Sequence, residues 1–396
     1  MEKYHGCTDF SNEGNMQEKY IYWLMHVPGL GSKGIAQLLS VPGGAEAVYR
    51  MERNTLLSLG ISLKQSVKEA ILAHRKEFQM GKEYEQFLEK NIRMTWLGNP
   101  SYPERLKYIP DPPAVLFYKG RLPTENRVQV AVVGARECSE YGSFMARELG
   151  TQLAKAGMVL VSGMARGIDG IGQMAACKNG GTSIGVLGCG VDICYPRQNQ
   201  DLYDRLAEEG CVLSEYLPGT QPVSKYFPAR NRIISGLSDV LVVVEAREKS
   251  GTFITVDMAL EQGKDVYVVP GRLTDPLSRG CNRLIHQGAE VLVSVEEFVE
   301  GLGAKVDRTT EIESGKCTCM VPAFLTEREA RVYEILDTNA MHFEVILQKL
   351  QNISAAGRWQ EEPWEMQELM WILLNLCIKG VAKQVGTNSY VKVILC

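Results

Sequence analysis

The sequence predicts an α/β protein whose central part is a doubly wound, mostly parallel sheet. From about residue 114 onward, short apolar segments alternate with helix-length polar or mixed segments, and nearly all the apolar segments are rich in Val, Leu and Ile without alternation. Strands buried on both faces have this composition, and alternating strands and helices form a parallel sheet with helices on both sides. We therefore expect a Rossmann-like domain over residues 100–302. Its predicted strands are Val115–Tyr118, Val128–Val133, Val159–Val161, Ser183–Leu187, Val212–Leu213, Val240–Val244, Val266–Val269 and Val291–Val293.

A helical domain is predicted before the sheet, over residues 18–95. The apolar segment Tyr20–Met25 precedes the turn Pro28–Lys33, and Ile35 and Leu38 follow at helical spacing. Two helices around a G-x-G turn form a helix-hairpin-helix, or SAM-like, pattern whose free amides can face a phosphate. A plain helical hairpin without a ligand explains the same residues, so both interpretations stay open.

A small C-terminal unit over residues 325–396 has a winged-helix pattern of three helices and a hairpin. The last of these helices, near Trp364, carries Glu365 and Glu368, and its only cation is Lys379 at the far end. Such a surface repels DNA, so we expect the unit to serve protein contact or regulation. The helices are predicted at Glu327–Leu336, Phe343–Leu350 and Trp364–Ile378, the hairpin at Val381–Leu395, a linker at 303–324 and a disordered segment at 1–17.

Composition narrows the class of protein. The 396 residues are 45% apolar and 23% charged, and no apolar run reaches the roughly 18 residues of a membrane span. The polar N-terminus does not resemble a signal peptide, and eleven scattered cysteines fit reduced thiols, so we expect a cytoplasmic protein of two or three domains without membrane contact. Cys317 and Cys319 have no second pair at zinc spacing, so no metal or other cofactor is expected. The net charge of -4 disfavours coating of duplex DNA by bulk charge but allows a local basic groove.

The loops that follow the predicted strands are rich in glycine. Glycine lets the backbone approach a ligand closely, and helix N-termini present free amides to anions. Because parallel strands end at one edge, several such loops predict a phosphate-binding rim there. Neither G-x-G-x-x-G nor a P-loop occurs, which disfavours a dinucleotide or a P-loop nucleotidase. The loops are Gly134-Ala135-Arg136, Ser162–Gly170, Gly188-Cys189-Gly190, Ser250-Gly251-Thr252 and Pro270-Gly271.

The segment Lys225–Arg232 combines cations with aromatic rings. It contains Lys225, Arg230, Arg232, Tyr226 and Phe227, and no acidic residue occurs from 217 to 238. Cations follow a phosphate backbone and rings offer faces for base stacking. A basic, solvated helix start with Phe227 in the core explains the segment equally well from its chemistry alone.

The strings VVGAR, SGMARGID, FPARNRIISGLS, EAREKSGTFIT, VPG and GCNRLIHQGAEVL, in this order between about residues 102 and 302, resemble the DprA/Smf DNA-processing family of bacteria. The resemblance implies a homodimer, without enzymatic activity, that binds single-stranded DNA cooperatively, protects incoming DNA and loads RecA recombinase during natural transformation. Arg136 and Arg166 would contact phosphates and Phe227 would stack on a base. The full set of expected DNA-contacting residues is Gly134, Arg136, Ser162, Gly163, Arg166, Gly167, Lys225, Phe227, Arg230, Asn231, Arg232, Lys249, Ser250, Gly251 and Thr252.

One position departs from the family pattern. The family often has G-I-D-x-x-A-H, whereas Gly172 and Gln173 stand here in place of Ala and His. Any role of that histidine is therefore in doubt for this chain, while the phosphate loops are intact.

The main alternative function is a nucleotide-binding hydrolase like the lysine-decarboxylase-like phosphoribohydrolases. Their P-G-G-x-G-T-x-x-E string is absent, and the five histidines lie outside the strand-end loops, which disfavours a histidine base. Asp169, Glu215 and Glu245 are expected to cap helices or hold arginines. A protein-interaction adaptor is a third class, disfavoured because an adaptor needs no phosphate rim.

A dimer contact is expected at the end of the sheet. Residues 284–293 bring several apolar side chains together, and Leu260 lies on an earlier helix that can sit nearby. An apolar face at a sheet edge suits a two-fold contact, for which Leu260, Ile285 and Val291 are the candidates.

Overall fold

The computed structural model describes residues 11–122, 126–303, 325–336, 341–355, 364–384 and 389–392. Contacts divide the chain into two compact units, Met1–Val306 and Asp307–Cys396. The Cys317–Cys319 pair, nearly all of the predicted linker at 303–324 and residues 385–388 and 393–395 of the predicted hairpin lie outside the described residues.

Six helices occupy the described residues 11–89. The first begins at Ser11, so residues 11–17, which were expected to be disordered, are helical. Its C-terminal half is anchored by Trp23 and Leu24, which are fully buried. The helices are α1 (Ser11–Met25), α2 (Ser32–Leu39), α3 (Gly44–Arg50), α4 (Arg53–Ser58), α5 (Gln65–Glu77) and α6 (Met80–Glu89).

The helical segment shares one apolar core with the sheet that follows. Phe87 of α6 packs edge-on against Phe117 of the sheet, with ring centroids 5.9 Å apart. The end of the turn between α1 and α2 also contacts the chain just before β2, because the Oγ of Ser32 accepts a hydrogen bond from the backbone amide of Ala114 at 2.8 Å. The division into separate domains at 18–95 and 100–302 stays a prediction.

The sheet has nine strands within the described residues, in the order β1-β2-β6-β5-β4-β3-β7-β8-β9. Strands β3 to β9 are parallel, whereas β1 and β2 are antiparallel to their neighbours. The strands are β1 (Arg93–Trp96), β2 (Val115–Gly120), β3 (Gln129–Val133), β4 (Val159–Ser162), β5 (Thr182–Val186), β6 (Cys211–Ser214), β7 (Val240–Val243), β8 (Asp265–Val268) and β9 (Glu290–Val291). The doubly wound, mostly parallel sheet is therefore confirmed.

Strand β1 corrects the expectation that residues up to 95 are helical. Met94 and Thr95 are buried and pair with Phe117 and Leu116 of β2. Pairing with a distant strand decides this conformation, because the composition of so short a segment is only a weak signal for a strand.

Helices cover both faces of the sheet, and successive residues of β3 show this. Val132 packs with Leu149 of one helical layer, whereas its neighbour Ala131 packs with Ile233 of the other. The chain winds from β3 to β6 on one side and then returns past β3 to β7, so the direction of winding reverses beside β3. The helices are α7 (Glu104–Lys107), α8 (Glu140–Lys155), α9 (Ile168–Lys178), α10 (Gln200–Glu209), α11 (Tyr226–Leu237), α12 (Thr252–Glu261), α13 (Arg279–His286) and α14 (295–303).

The second unit has its own core around Val332, Ile346, Leu369 and Leu373. Strand β10 was not expected from the sequence, and it joins the hairpin strands in a three-stranded antiparallel sheet of order β10-β12-β11. Its elements are α15 (Glu327–Ile335), β10 (Met341–His342), α16 (Phe343–Ala355), α17 (Met366–Ile378), β11 (Ala382–Gln384) and β12 (Ser389–Lys392).

Candidate nucleic-acid interface

An open groove of about 630 Å³ lies where β3, β4 and β7 end. In doubly wound sheets, ligands bind at the carboxyl ends of the strands where the winding reverses. The groove brings together ten of the expected residues: Gly134, Arg136, Arg166, Phe227, Arg230, Asn231, Lys249, Ser250, Gly251 and Thr252.

The loops after β3 and β4 meet at Gly167, which has a left-handed φ of +72°. A Cβ on this residue would lie 2.3 Å from the carbonyl oxygen of Ala135 and 2.6 Å from that of Arg136. Only glycine permits this approach. Gly167 therefore lets the two loops touch and places the exposed side chains of Arg136 and Arg166 on adjoining loops.

Arg230 lies beneath the groove and is engaged by the protein. Its guanidinium donates hydrogen bonds to the carbonyl oxygens of Gly163, at 2.9 Å, and Val186. Burial lowers the pKa of Arg230 to about 10, and the negative charge of Asp169 acts in the opposite direction. Burial likewise raises the pKa of the Asp169 carboxyl, while Arg230 acts in the opposite direction. Arg230 stays charged at neutral pH and supports the loop after β4.

Gly163 provides the space that this guanidinium occupies. A Cβ at residue 163 would lie 2.5 Å from a terminal nitrogen of Arg230. Gly163 also lines a small cavity of about 70 Å³ that adjoins the groove. Gly163 thus leaves room for the Arg230 side chain and does not itself line the groove.

Two aromatic rings stack beside the cations. The rings of Phe227 and Tyr195 have centroids 5.2 Å apart and planes 28° apart. The guanidinium of Arg136 lies 5.9 Å from the Phe227 centroid. Gly188 supports the Phe227 ring, because a Cβ there would meet its edge at 2.9 Å. Phe227 is half-buried at the groove and is not part of the apolar core.

The third wall of the groove is the start of α12. The Oγ of Ser250 accepts a hydrogen bond from the amide of Thr252 at 3.2 Å. Gly251 is exposed, with open space where a side chain would stand. Arg247 and Lys249 extend from the preceding loop into solvent. A helix N-terminus beside cations suits an anionic ligand.

Three other expected residues lie away from the groove. Ser162 is fully buried and donates to the carbonyl oxygen of Val132 at 2.6 Å. Arg232 forms an ion pair with Glu215, with N and O 2.7 Å apart. Lys225 is exposed above the ring of Tyr226, at 5.2 Å from its centroid.

The acidic residues at the strand ends have protein partners. Glu245 is buried and accepts hydrogen bonds from the backbone amide, at 2.9 Å, and the hydroxyl of Ser139, the N-cap residue of α8. Asp169 accepts from the amide of Gly163 at 3.2 Å. Together with the Arg232–Glu215 pair, these contacts match the capping and arginine-holding roles expected for the three carboxylates.

Arg247 and Tyr195 are among the groove residues that were not expected from the sequence. Arg247 lies in the string EAREKSGTFIT and lines the groove. A cation just before a glycine-containing helix start is a sequence signal that could have identified it. Tyr195 lies in the loop after β5 and had no such signal, because its position against Phe227 arises from tertiary packing.

The candidate dimer residues lie on edge strand β9, which carries Val291, and on helices α12 and α13, which carry Leu260 and Ile285. Leu260 and Val291 are exposed, and Ile285 is half-buried against the core. Leu260 lines a shallow depression of about 230 Å³ with Leu284 and Glu290. Strand β9 is the edge strand of the sheet, and no strand among the described residues pairs with its outer side.

Across the described parts of the chain, no group of three or more His, Cys, Asp or Glu residues is arranged to hold a metal ion. No helix in those parts has the length and apolarity needed to cross a bilayer.

Comparison with known proteins identifies the family to which the chain is similar. The sequence profile described as DNA recombination-mediator protein A matches residues 93–303. The DNA processing protein DprA of Streptococcus pneumoniae is 43% identical over 220 residues, which are 56% of this chain and 76% of that protein. Protein Smf of Escherichia coli is 38% identical over 254 residues, which are 60% of this chain and 68% of that protein. The X-ray structure of the pneumococcal DprA has a TM-score of 0.62 and 34% identity, covering 71% of this chain and 97% of that one.

Proposed function

The chain belongs to the DNA recombination-mediator protein A family, also known as DprA/Smf, and on this premise we propose that its groove binds single-stranded DNA. The observation that carries the proposal is one groove lined by four exposed cations and two stacked rings. Cations bind successive phosphates, and rings stack on bases. A duplex keeps its base faces inside the stack, so rings at a groove favour a single strand. The cations are Arg136, Arg166, Arg247 and Lys249.

The test is fluorescence anisotropy with a labelled oligo-dT strand, a blunt duplex of the same length and a mononucleotide. The single strand should bind well ahead of the duplex. Its affinity should fall as salt rises, with a log-log slope of about -0.7 for each phosphate contact. Equal affinity for the blunt duplex would contradict the proposal.

The proposal does not include catalysis. Asp169, Glu215 and Glu245 are all engaged by protein partners, which supports a binding protein over a phosphoribohydrolase. Hydrolysis of a nucleoside monophosphate by the purified chain, lost on substitution of one of these residues, would instead favour the hydrolase.

The bound strand is proposed to be protected and passed to RecA recombinase during natural transformation, in the cytoplasm. The support is the family's description as a recombination mediator and the name of its pneumococcal member. The test is RecA filament formation on a strand already coated with single-strand-binding protein. The chain should shorten the lag before filaments form, and an unchanged lag would contradict this role.

A homodimer through Leu260, Ile285 and Val291 forms part of the proposal. The support is their position beside edge strand β9, together with the exposure of Leu260 and Val291. We also propose that residues 325–396 form a winged helix, which three helices and a three-stranded antiparallel sheet support. We further propose that the turn between α1 and α2 is a plain helical hairpin without a ligand, because Ser32 at its end is hydrogen-bonded to Ala114.

A further inference from the structure

A second cationic surface lies beside the groove, in the loop after β8 and at the start of α13. Residues 270–286 contain three arginines and a single acidic residue, Asp275. In a chain whose net charge is -4, this segment is a local concentration of positive charge. Two of its arginines, Arg272 and Arg279, are exposed, and we call them the outer arginines.

Arg279 adjoins the groove through the turn that carries Arg247. The backbone amide of Gly280 donates a hydrogen bond to the carbonyl oxygen of Ala246 at 2.9 Å. A Cβ on Gly280 would lie 2.7 Å from the carbonyl oxygen of Arg247, so a side chain there would not fit. The start of α13 therefore touches the backbone of a residue that lines the groove.

The loop that carries Arg272 is fixed in place on both sides. The Nδ2 of Asn282 donates to the carbonyl oxygen of Gly271 at 3.0 Å, and its Oδ1 accepts from the amide of Gly271 at 3.4 Å. One residue earlier, the hydroxyl of Tyr141 donates to the carbonyl oxygen of Pro270 at 3.2 Å. Arg272 thus projects from an ordered backbone, which lowers the cost of ordering the loop when a ligand binds.

The acidic residues nearby in sequence have other partners. Glu248 forms an ion pair with Arg283, with N and O 3.3 Å apart. The Oδ1 of Asp275 accepts a hydrogen bond from the backbone amide of Leu277 at 2.9 Å. Within the described residues, no carboxylate forms an ion pair with either outer arginine. The outer arginines and the groove cations therefore repel one another, and an anion that lies along them would offset this repulsion.

We propose that a single strand leaving the groove runs over the outer arginines toward edge strand β9, an inference that rests on the proposed function. Strands β7 and β8 are parallel neighbours, with Val243 opposite Val268 at their ends. The loop after β7 carries Arg247 and the loop after β8 carries Arg272, so cations continue along the edge of the sheet where ligands bind. This continuity with the groove favours a nucleic-acid strand over an acidic protein.

The test compares a short oligo-dT strand of about six nucleotides with a long one of about 25. The short strand should occupy the groove alone, whereas the long strand should also reach the outer arginines. Combining Arg272→Ala with Arg279→Ala should lower the log-log salt slope of the long strand by about 1.4, since each phosphate contact contributes about 0.7. Its affinity should fall by about tenfold at low salt. The short strand should change by less than about twofold.

The measurement is fluorescence anisotropy at several salt concentrations, with circular dichroism to confirm folding. The matched control combines Lys155→Ala with Lys178→Ala, which removes the same charge from the last residues of α8 and α9. This control should leave both strands unaffected. An unchanged slope for the long strand in the arginine variant, an equal loss for the short strand or an equal loss in the lysine control would overturn the proposal.

The same series separates this inference from the groove and from the dimer contact. If the groove proposal fails, the unmodified chain binds neither strand or Arg136→Ala binds both normally. If only this inference fails, short-strand binding and its dependence on Arg136 remain. Repeating the series in a Leu260→Glu background, with the mass checked by sedimentation equilibrium, should preserve the effect of the outer arginines. An effect that disappears there would act through association and would overturn the proposal.

Discussion

The side-chain amide of Gln173 accepts a hydrogen bond from the backbone amide of Met164, with Oε1 and N 3.0 Å apart. Met164 has a φ of +54°, which is uncommon for a residue other than glycine. Gln173 also donates to the hydroxyl of Ser183, at 3.1 Å, and to the carbonyl oxygen of Ile184, at 2.9 Å. It therefore ties the loop that carries Arg166 to strand β5, at the position where the family pattern often has histidine.

Replacing Gln173 with Leu should lower the free energy of unfolding by about 2 kcal/mol, because the buried amide of Met164 loses its partner. Binding of single strands should weaken as well, since the Arg166 loop loses its support. Urea denaturation and anisotropy measure the two effects. Gln173→His keeps one donor and one acceptor, so it should lose less stability and less single-strand affinity than the Leu variant. Equal stability of the Leu variant and the unmodified chain would show that the loop holds its shape without this hydrogen bond.

Arg136→Ala and Arg166→Ala should each weaken single-strand binding for all sequences and reduce the steepness of its salt dependence. Each substitution removes one phosphate contact, which corresponds to a change of about 0.7 in the log-log slope. Binding titrations at four salt concentrations measure this. Lys155→Ala, at the far end of α8, is the matched control and should change neither quantity. Unaltered slopes for both arginine variants would place the phosphates elsewhere.

Phe227→Ala should weaken binding by roughly 1–3 kcal/mol per stacked base and leave the salt slope nearly unchanged, because stacking releases no counterions. Tyr195→Phe, which keeps the ring that packs on Phe227, should bind almost normally. The measurement is the same titration, accompanied by a thermal melt. A Phe227→Ala variant that melts earlier but binds normally when folded would assign the ring to packing alone.

Arg230→Met should destabilise the fold by about 3–5 kcal/mol, because it leaves the Asp169 carboxylate buried without its opposite charge. The folded-state pKa of Asp169 is raised by burial, so the stability linked to its protonated form is lost as pH rises through that pKa. The loss of stability caused by Arg230→Met should therefore be larger at pH 8 than at pH 5. Denaturant midpoints of the variant and the unmodified chain at both pH values measure this loss. Adding Asp169→Asn should recover much of the loss. A pH-independent deficit would mean that Asp169 has the same protonation state in the folded variant and in the folded unmodified chain between pH 5 and pH 8.

Leu260→Glu should give a chain of lower mass in sedimentation, with weaker and less cooperative binding of long single strands. Leu260 is 59% exposed, so a charge there should interrupt an apolar contact without harming the fold. Ile285→Glu should act in the same direction but also lower stability, because Ile285 packs partly on the core. Met258→Glu, two residues earlier on α12, serves as a control for added charge on that helix. Unchanged association of the Leu260 variant would move the dimer contact to another surface.

The sequence alone determined the sheet and the loops at its edge. Segments such as Val130–Val133 are apolar without alternation, which is a local property of a strand buried on both faces. The glycines of the strand-end loops are likewise local signals, as the left-handed φ of Gly167 illustrates. The resemblance to the family then predicted which residues around these glycines contact DNA.

The tertiary structure alone decided which side chains reach the groove. Arg230 and Arg232 stand in the same basic segment, yet Arg230 lies beneath the groove near Asp169, and Arg232 pairs with Glu215. Arg247 and Tyr195 line the groove without having been singled out in the sequence. A side chain's partners depend on residues brought from elsewhere in the chain, and a local pattern does not record them. Arg232 pairs with Glu215, and Arg230 donates to backbone carbonyl oxygens. Arg136, Arg166, Arg247 and Lys249 remain exposed at the groove.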